Sequence, residues 1–388
     1  MKLLEKLLVG VEFGPTAPEV LDTAVFVAKH FSSEVILLHV VPGVSERYSD
    51  AIAMIRTDVE MELQEAVERV RAGGIDNIQT VVDFGIPYDL ILQHANQKDV
   101  NAIILGAREK SQNALGTTAA EVRRGATKPV WLVKPGSSLP VKSVLCPVDF
   151  SEASGRAMRN VIHVARCFDA NLAVLTVAPC SSSAHDMEKI AAEARRAGVE
   201  PESVLMDHYA RDFDLHGVRW TKFIRKGKPH EEILKVVDEI KADLLVMGSA
   251  GRKGLARMLM GGLARKLASE MPCSIVTVRS EHAFRPRVEP QGGDLDEFFK
   301  QGHELLALGF PEEAGRQFRQ CLAKDKKFVP AWEGLAAVSQ RLGRDDEARQ
   351  YLDRAEQAAQ EQYHKQVEAD VREQHFLFRS MFGAKDKE

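Results

Sequence analysis

The sequence predicts an α/β protein of two tandem doubly wound parallel-sheet domains followed by a C-terminal all-α helical repeat, and three observations lead there. First, the opening 280 residues repeat internally: 7–13 reads against 144–150 and 35–42 against 172–179, both at an offset of 137. Residues 85–87 then pair with 227–229, and 101–106 with 243–248, at an offset of 142, so one small insertion separates otherwise parallel halves. Second, short uninterrupted apolar runs alternate with helical periods, the pattern of strands buried on both faces and joined by crossover helices. Third, the strand signals stop near residue 280, and residue types then recur at an offset of 34.

Taken in order, Thr16-Ala17-Pro18-Glu19 reads as a capping box opening a helix that turns Val20, Ala24, Val27 and Phe31 inward. In the second half the runs 144–148, 172–177, 244–247 and 275–278 read as strands. Between them Met158, Val161, Ile162 and Ala165, and later Ile233, Val236, Val237 and Ile240, follow the i, i+3, i+4, i+7 spacing of a buried helix face. Pro229 takes a first-turn position, where its missing N–H is no loss. Residues 134–140 form a predicted linker between the halves, and 280–293, rich in proline, glycine and mixed charge, a second. Beyond it Phe298 recurs as Trp332, Gly309 as Gly343, Ala314 as Ala348, Phe318 as Leu352 and Cys321 as Ala355. Alanines let paired helices approach, glycines end the first helix of each pair, and the large residues fill the space between. From about Glu361 a charged helical tail caps the stack. The predicted domains are 1–135, 141–280 and 294–388.

Composition narrows the function. Hydrophobic residues make up 45% of the 388 and charged residues 28%, a globular mix. The net charge of −4 gives no basis for nucleic-acid binding. No window approaches the ~18 uncharged apolar residues of a membrane span, and Glu5, Lys6 and Glu12 interrupt the apolar opening, so neither a membrane segment nor a secretory signal is expected. The five cysteines are scattered and include no C-x-x-C pair, which predicts a reducing, cytoplasmic setting without disulfides or a cysteine zinc site. Cys146 and Cys273 read as small core residues, and His39 as a core histidine on an apolar strand. His208, His216 and His230 are spaced for no compact metal site.

The chemistry-bearing pattern lies in the second half. Gly248 and Gly251 follow an apolar strand, and Gly261-Gly262-Leu263 opens a helical run nine residues later. In a doubly wound sheet, ligands bind outside the carboxyl ends of strands. Glycines there admit an anion close to the backbone, and the next helix N-terminus offers unpaired N–H donors to a phosphate. Arg252, Lys253 and Arg257 lie between the glycines and read mainly as solvated loop cations. Asp149 ends the first strand of this half; it either faces the crevice as an acceptor for ribose or adenine groups, or shares with Ser151 the capping of the next helix. There is no Walker A loop, no dinucleotide fingerprint and no nucleophile elbow at Ser151.

Residues 144–279 resemble a universal stress protein domain, and the first half resembles a diverged copy of it. The family signature G-x2-G-x9-G-[ST] is met by Gly248, Gly251 and Gly261, with Gly262 in the Ser/Thr place. The resemblance implies an adenine nucleotide alpha hydrolase-like fold. It also implies adenosine contacts at Pro147, Asp149 and Val177, a ribose and phosphate turn at Met247, Gly248 and Gly251, and a phosphate cradle at Gly261, Gly262 and Leu263. The implied ligand is ATP or AMP, with or without magnesium. In the first half Gly10 and Glu12 replace the proline and aspartate. Glu109 stands in the second glycine's place, and six residues rather than nine precede Gly116-Thr117. A carboxylate there repels phosphate, so the first half is expected to be a non-binding partner, the alternative being a residual site at Gly116-Thr117. The 34-residue period resembles the tetratricopeptide repeat, which implies a protein partner. The leading expectation is a nucleotide-binding stress-response sensor or adaptor, with the tandem halves paired as a pseudo-dimer or the chain as a homodimer. The alternatives are a slow ATPase or phosphotransfer enzyme, for which no base or P-loop lysine is found, and a nucleotide-free dimerisation scaffold.

Overall fold

The computed structural model describes residues 4–43, 49–107, 116–178, 200–248, 260–279, 294–307 and 309–382, with four single positions between 192 and 198. Of 49–53, 260–262, 264–265 and 364–382 only the backbone is described. The chain divides into two compact units, residues 2–287 and 288–388.

Among its described residues the first unit holds ten strands. In chain order its elements are β1 (Lys6–Gly10), α1 (Ala17–Phe31), β2 (Glu34–Val41), α2 (Ser49–Ala72), β3 (Ile78–Phe84), α3 (Pro87–Gln97), β4 (Ala102–Gly106), α4 (Thr117–Gly125) and β5 (Val130–Val133). The second half follows with β6 (Ser143–Pro147), α5 (Glu152–Cys167), β7 (Asn171–Ala178), α6 (Pro201–Ala210), β8 (Trp220–Lys226), α7 (Pro229–Glu239), β9 (Leu244–Gly248), α8 (Met260–Glu270) and β10 (Ser274–Val278). Central strands such as β1, β4, β9 and β10 are buried on both faces, which is why they read as unbroken apolar runs.

One sheet runs β3-β2-β1-β4-β5-β10-β9-β6-β7-β8. All neighbours are parallel except β5 and β10, which pair antiparallel as Val130↔Thr277, Trp131↔Val276 and Leu132↔Ile275. Residues of β5 correspond to those of β10 at an offset of 145, so Trp131 faces its own equivalent and Val130 and Leu132 exchange theirs. That is the self-complementary pairing of a two-fold dimer, made here within one chain. The predicted linker is tied into both halves: Lys134 Nζ donates to the Pro272 carbonyl (2.7 Å), and the Gly136 N–H to Glu19 Oε1 (3.3 Å). Across the seam Phe168 packs against Phe26, His30 and Trp131.

Two local expectations change. Thr16 does precede α1, but it sits in a right-handed helical conformation and its side chain caps nothing. Its hydroxyl instead lies by Gly106 at the end of β4. His39 is only half-buried; its ring stacks on Phe13 (centroids 4.5 Å), and Nδ1 lies 2.8 Å from the Val11 carbonyl.

In the second unit α9 (Leu295–Ala307) and α10 (Pro311–Lys324) are followed by α11 (Val329–Arg341) and α12 (Asp345–Phe382). The helix starts recur 34 residues apart, and Gly309 and Gly343 both adopt positive φ in the turns between paired helices. Phe318 of α10 is buried; a Cβ on Gly302 or Gly334 would come within 2.6–2.7 Å of its ring, so those glycines are what seat it between α9 and α11.

Candidate functional site

Strand order reverses between β1 and β4 in one half and between β6 and β9 in the other, which puts a crevice beyond the carboxyl ends of each pair. In the second half β6 pairs with β9 only at Val144↔Leu244 and Leu145↔Leu245, whereas β1 and β4 stay paired over four residues. Pro147, buried at the end of β6, has no N–H to extend the ladder, and the strands part where the crevice opens.

Asp149 is half-buried beside that opening. Its Oδ1 accepts from the Ser151 N–H (3.1 Å) and hydroxyl (2.5 Å). Ser151 is the residue that caps α5, its Oγ accepting from the Ser154 N–H (3.3 Å). The two readings of Asp149 and Ser151 therefore divide: the serine caps, and the aspartate keeps Oδ2 without a hydrogen-bond partner among the described residues. Phe150 between them is held at φ 60, a left-handed strain that non-glycine residues rarely carry. Burial of its ring against Tyr209 (centroids 5.2 Å, edge-on) holds it there.

Gly248 ends β9. A Cβ at this position would lie 1.9 Å from the Ala153 carbonyl oxygen, so only glycine admits the first turn of α5. Met247 is buried beneath it, Val177 is half-buried at the end of β7, and Leu263 is half-buried on α8. Gly261 and Gly262 lie in the first described turn of α8, at the helix end where the dipole is positive. Gly251 and the cations Arg252, Lys253 and Arg257 lie outside the described residues, as do Glu109 and the 280–293 linker.

The first half contains a cleft of about 450 Å³ at the equivalent place. Gly10, Glu12, Val40, Leu105, Gly106, Gly116, Thr117 and Thr118 line it; these are the first-half equivalents of every predicted site residue except Gly251. Thr16 and His39 line it as well. The sequence marks neither as a site residue, although the 137-residue offset pairs His39 with Thr176, next to the Val177 that the resemblance assigns to adenine. The cleft is present although Glu109 stands in the second glycine's place, because its walls come from the strand ends and the start of α4.

Elsewhere the chemistry is quiet. Burial pushes the thiols of Cys146 and Cys273 up to about 12, which keeps them protonated and inert. Among the described residues no cluster of three or more His, Cys, Asp or Glu could hold a metal, and no helix is long and apolar enough to cross a membrane.

The model of the universal stress protein family matches residues 4–134 and again 140–279, more than half the chain. The chain belongs to the universal stress protein family. A universal stress protein of Methanocaldococcus jannaschii is 25% identical over 156 residues, 38% of this chain and 87% of the relative. The universal stress protein YxiE of Bacillus subtilis is 26% identical over 148 residues, 35% of this chain and 97% of its own. The crystal structure of a universal stress protein from Archaeoglobus fulgidus superposes with a TM-score of 0.56 at 20% identity, covering 71% of this chain and 98% of that one. That last likeness is one of fold, and it spans both halves of this universal stress protein.

Proposed function

We propose that this universal stress protein binds one adenine nucleotide, ATP or AMP, in the crevice between β6 and β9. The nucleotide would make the protein a stress-response sensor, and the helical unit would make it an adaptor for a protein partner. The observation that carries the proposal is the Gly248, Gly251, Gly261 spacing that follows β9 in the sequence, beside a strand-end carboxylate with one oxygen unpartnered among the described residues. In this arrangement Asp149 accepts from the nucleoside, the Val177 backbone borders the base, and the first turn of α8 receives phosphate. Gly262 gives up a hydroxyl donor, a loss of ~0.5–1.5 kcal/mol, and keeps its N–H. The offset repeat at 34 supports the adaptor role by analogy with the tetratricopeptide architecture.

The test is to denature the purified protein and separate the released small molecules by ion exchange with mass detection, beside Gly251→Glu. One equivalent of adenine nucleotide per chain, absent from the variant, is the expected result. Two equivalents would assign a site to the first half as well. None, with no thermal shift on adding ATP or AMP, would leave a nucleotide-free scaffold.

A further inference from the structure

The helical unit carries a groove that the nucleotide chemistry does not use. It lies among α10, α11 and α12, with a volume of about 800 Å³. Its floor is apolar, from Leu322, Leu335 and Ala358, all buried. On one side stands an ordered aromatic ledge. The Trp332 indole is fixed by donating Nε1–H to the Lys326 carbonyl (3.0 Å), Tyr351 lies 6.0 Å from it, and the Arg354 guanidinium covers it at 5.4 Å.

The charges around this groove are unequal. Glu347 is already engaged by Ser339 (3.2 Å) and Arg344 (3.6 Å), and Glu361 pairs with Lys327. Arg319, Lys326 and Arg354 make no ion pair among the described residues. Three cations thus face the groove with no carboxylate partner among the described residues, on a unit that as a whole holds fifteen Lys and Arg against twenty Asp and Glu. A basic patch on an acidic body is local recognition, not the broad cationic face that grips a nucleic-acid backbone. Gln350, Arg354, Gln357 and Glu361 form one stripe on α12. The glutamine amides in it both donate and accept, which suits the N–H and C=O groups of an extended main chain.

We infer that this groove binds an extended acidic peptide segment of a partner protein. Its carboxylates pair with Arg319, Lys326 and Arg354, and an apolar side chain rests on the Trp332 ledge. The inference rests on the adaptor role proposed above and is independent of the nucleotide.

The experiment uses the full chain and short fluorescein-labelled peptides read by anisotropy: one of Asp and Glu around a central Phe, one with Lys and Arg in their place, and one neutral. The acidic peptide is expected to bind and to weaken as salt rises. Arg354→Glu and Arg319→Glu, both at exposed positions, should each weaken it on the order of tenfold. Arg349→Glu, on the same helix but outside the groove, should leave it unchanged. Acidic-peptide binding indifferent to Arg354→Glu would overturn the inference. So would equal binding of the basic or neutral peptide, which would nonetheless leave the adaptor role standing. Displacement of the acidic peptide by a lower concentration of single-stranded RNA would transfer the groove to nucleic acid. Failure of all three peptides would count against both the groove and the adaptor role.

Discussion

At equivalent positions the two halves of the sheet unit have parted in complementary ways. The second half keeps proline and aspartate at the end of its first strand and the full glycine spacing after β9, but it has Gly262 where a hydroxyl residue would stand. The first half keeps that hydroxyl as Thr117, on the wall of an open cleft, while Glu109 stands in the place of Gly251 and the segment that follows is three residues shorter. The aromatic after the carboxylate differs in the same sense. Phe150 is buried in a strained turn against Tyr209, whereas Phe13 stays 39% exposed and stacks on His39. Duplicated walls therefore persist when the loop chemistry changes, because the walls are also the core. Connecting loops in general diverge more readily than the elements they join.

The largest difference between the halves should appear at the glycine that ends the fourth strand of each. Gly248→Ala drives a methyl into the Ala153 backbone, while Gly106→Ala meets only side-chain atoms of Val20 and Thr16 at 3.0 and 3.1 Å. The first is expected to cost about 3 kcal/mol or more and the second under about 1 kcal/mol, measured by denaturant unfolding. Equal costs would mean that the two strand–helix junctions are packed alike.

The seam between the halves offers the next test. Phe168→Ala removes a ring packed against α1 of the other half and should cost about 3 kcal/mol. Hydrogen exchange should then quicken in α1 as well as α5, since the ten strands form one sheet. Quickening confined to α5 would show that the halves unfold separately.

A finer change sharpens the comparison of ligand chemistry. Gly262→Thr, which restores the hydroxyl that Thr117 preserves in the first half, should tighten nucleotide binding by ~0.5–1.5 kcal/mol in a titration. The last effect is absent at neutral pH and emerges only in alkali. The Cys146 and Cys273 thiols are raised by burial from 9.0 to about 12, so the folded state holds protons that the unfolded state releases. Their contribution to stability is complete below pH 9 and declines as pH rises from there toward 12. Replacing both with alanine or valine should flatten that alkaline loss.

Much of this was legible in the sequence. Unbroken apolar runs announced strands buried on both faces, and the shared offsets announced two copies of one topology. The 34-residue recurrence matched the spacing of the helix starts. What the sequence did not reveal depends on neighbours distant in the chain. That β5 and β10 pair antiparallel is a matter of which edges meet, and no local propensity encodes it. Thr16 has the composition of a cap, yet its hydroxyl lies by Gly106 instead. In the first half the sequence leaves a residual site at Gly116-Thr117 as an alternative only, because a signature registers loop glycines and not the crevice that strand order creates.

The most direct test of the central claim is calorimetric titration of nucleotide-stripped protein with ATP and AMP, in wild type, Asp149→Ala and Glu12→Ala. One site per chain is predicted, weakened about tenfold or more by Asp149→Ala, as for loss of a hydrogen bond to a charged group, and unaffected by Glu12→Ala. Two sites per chain, or a single site lost with Glu12 and indifferent to Asp149, would contradict it.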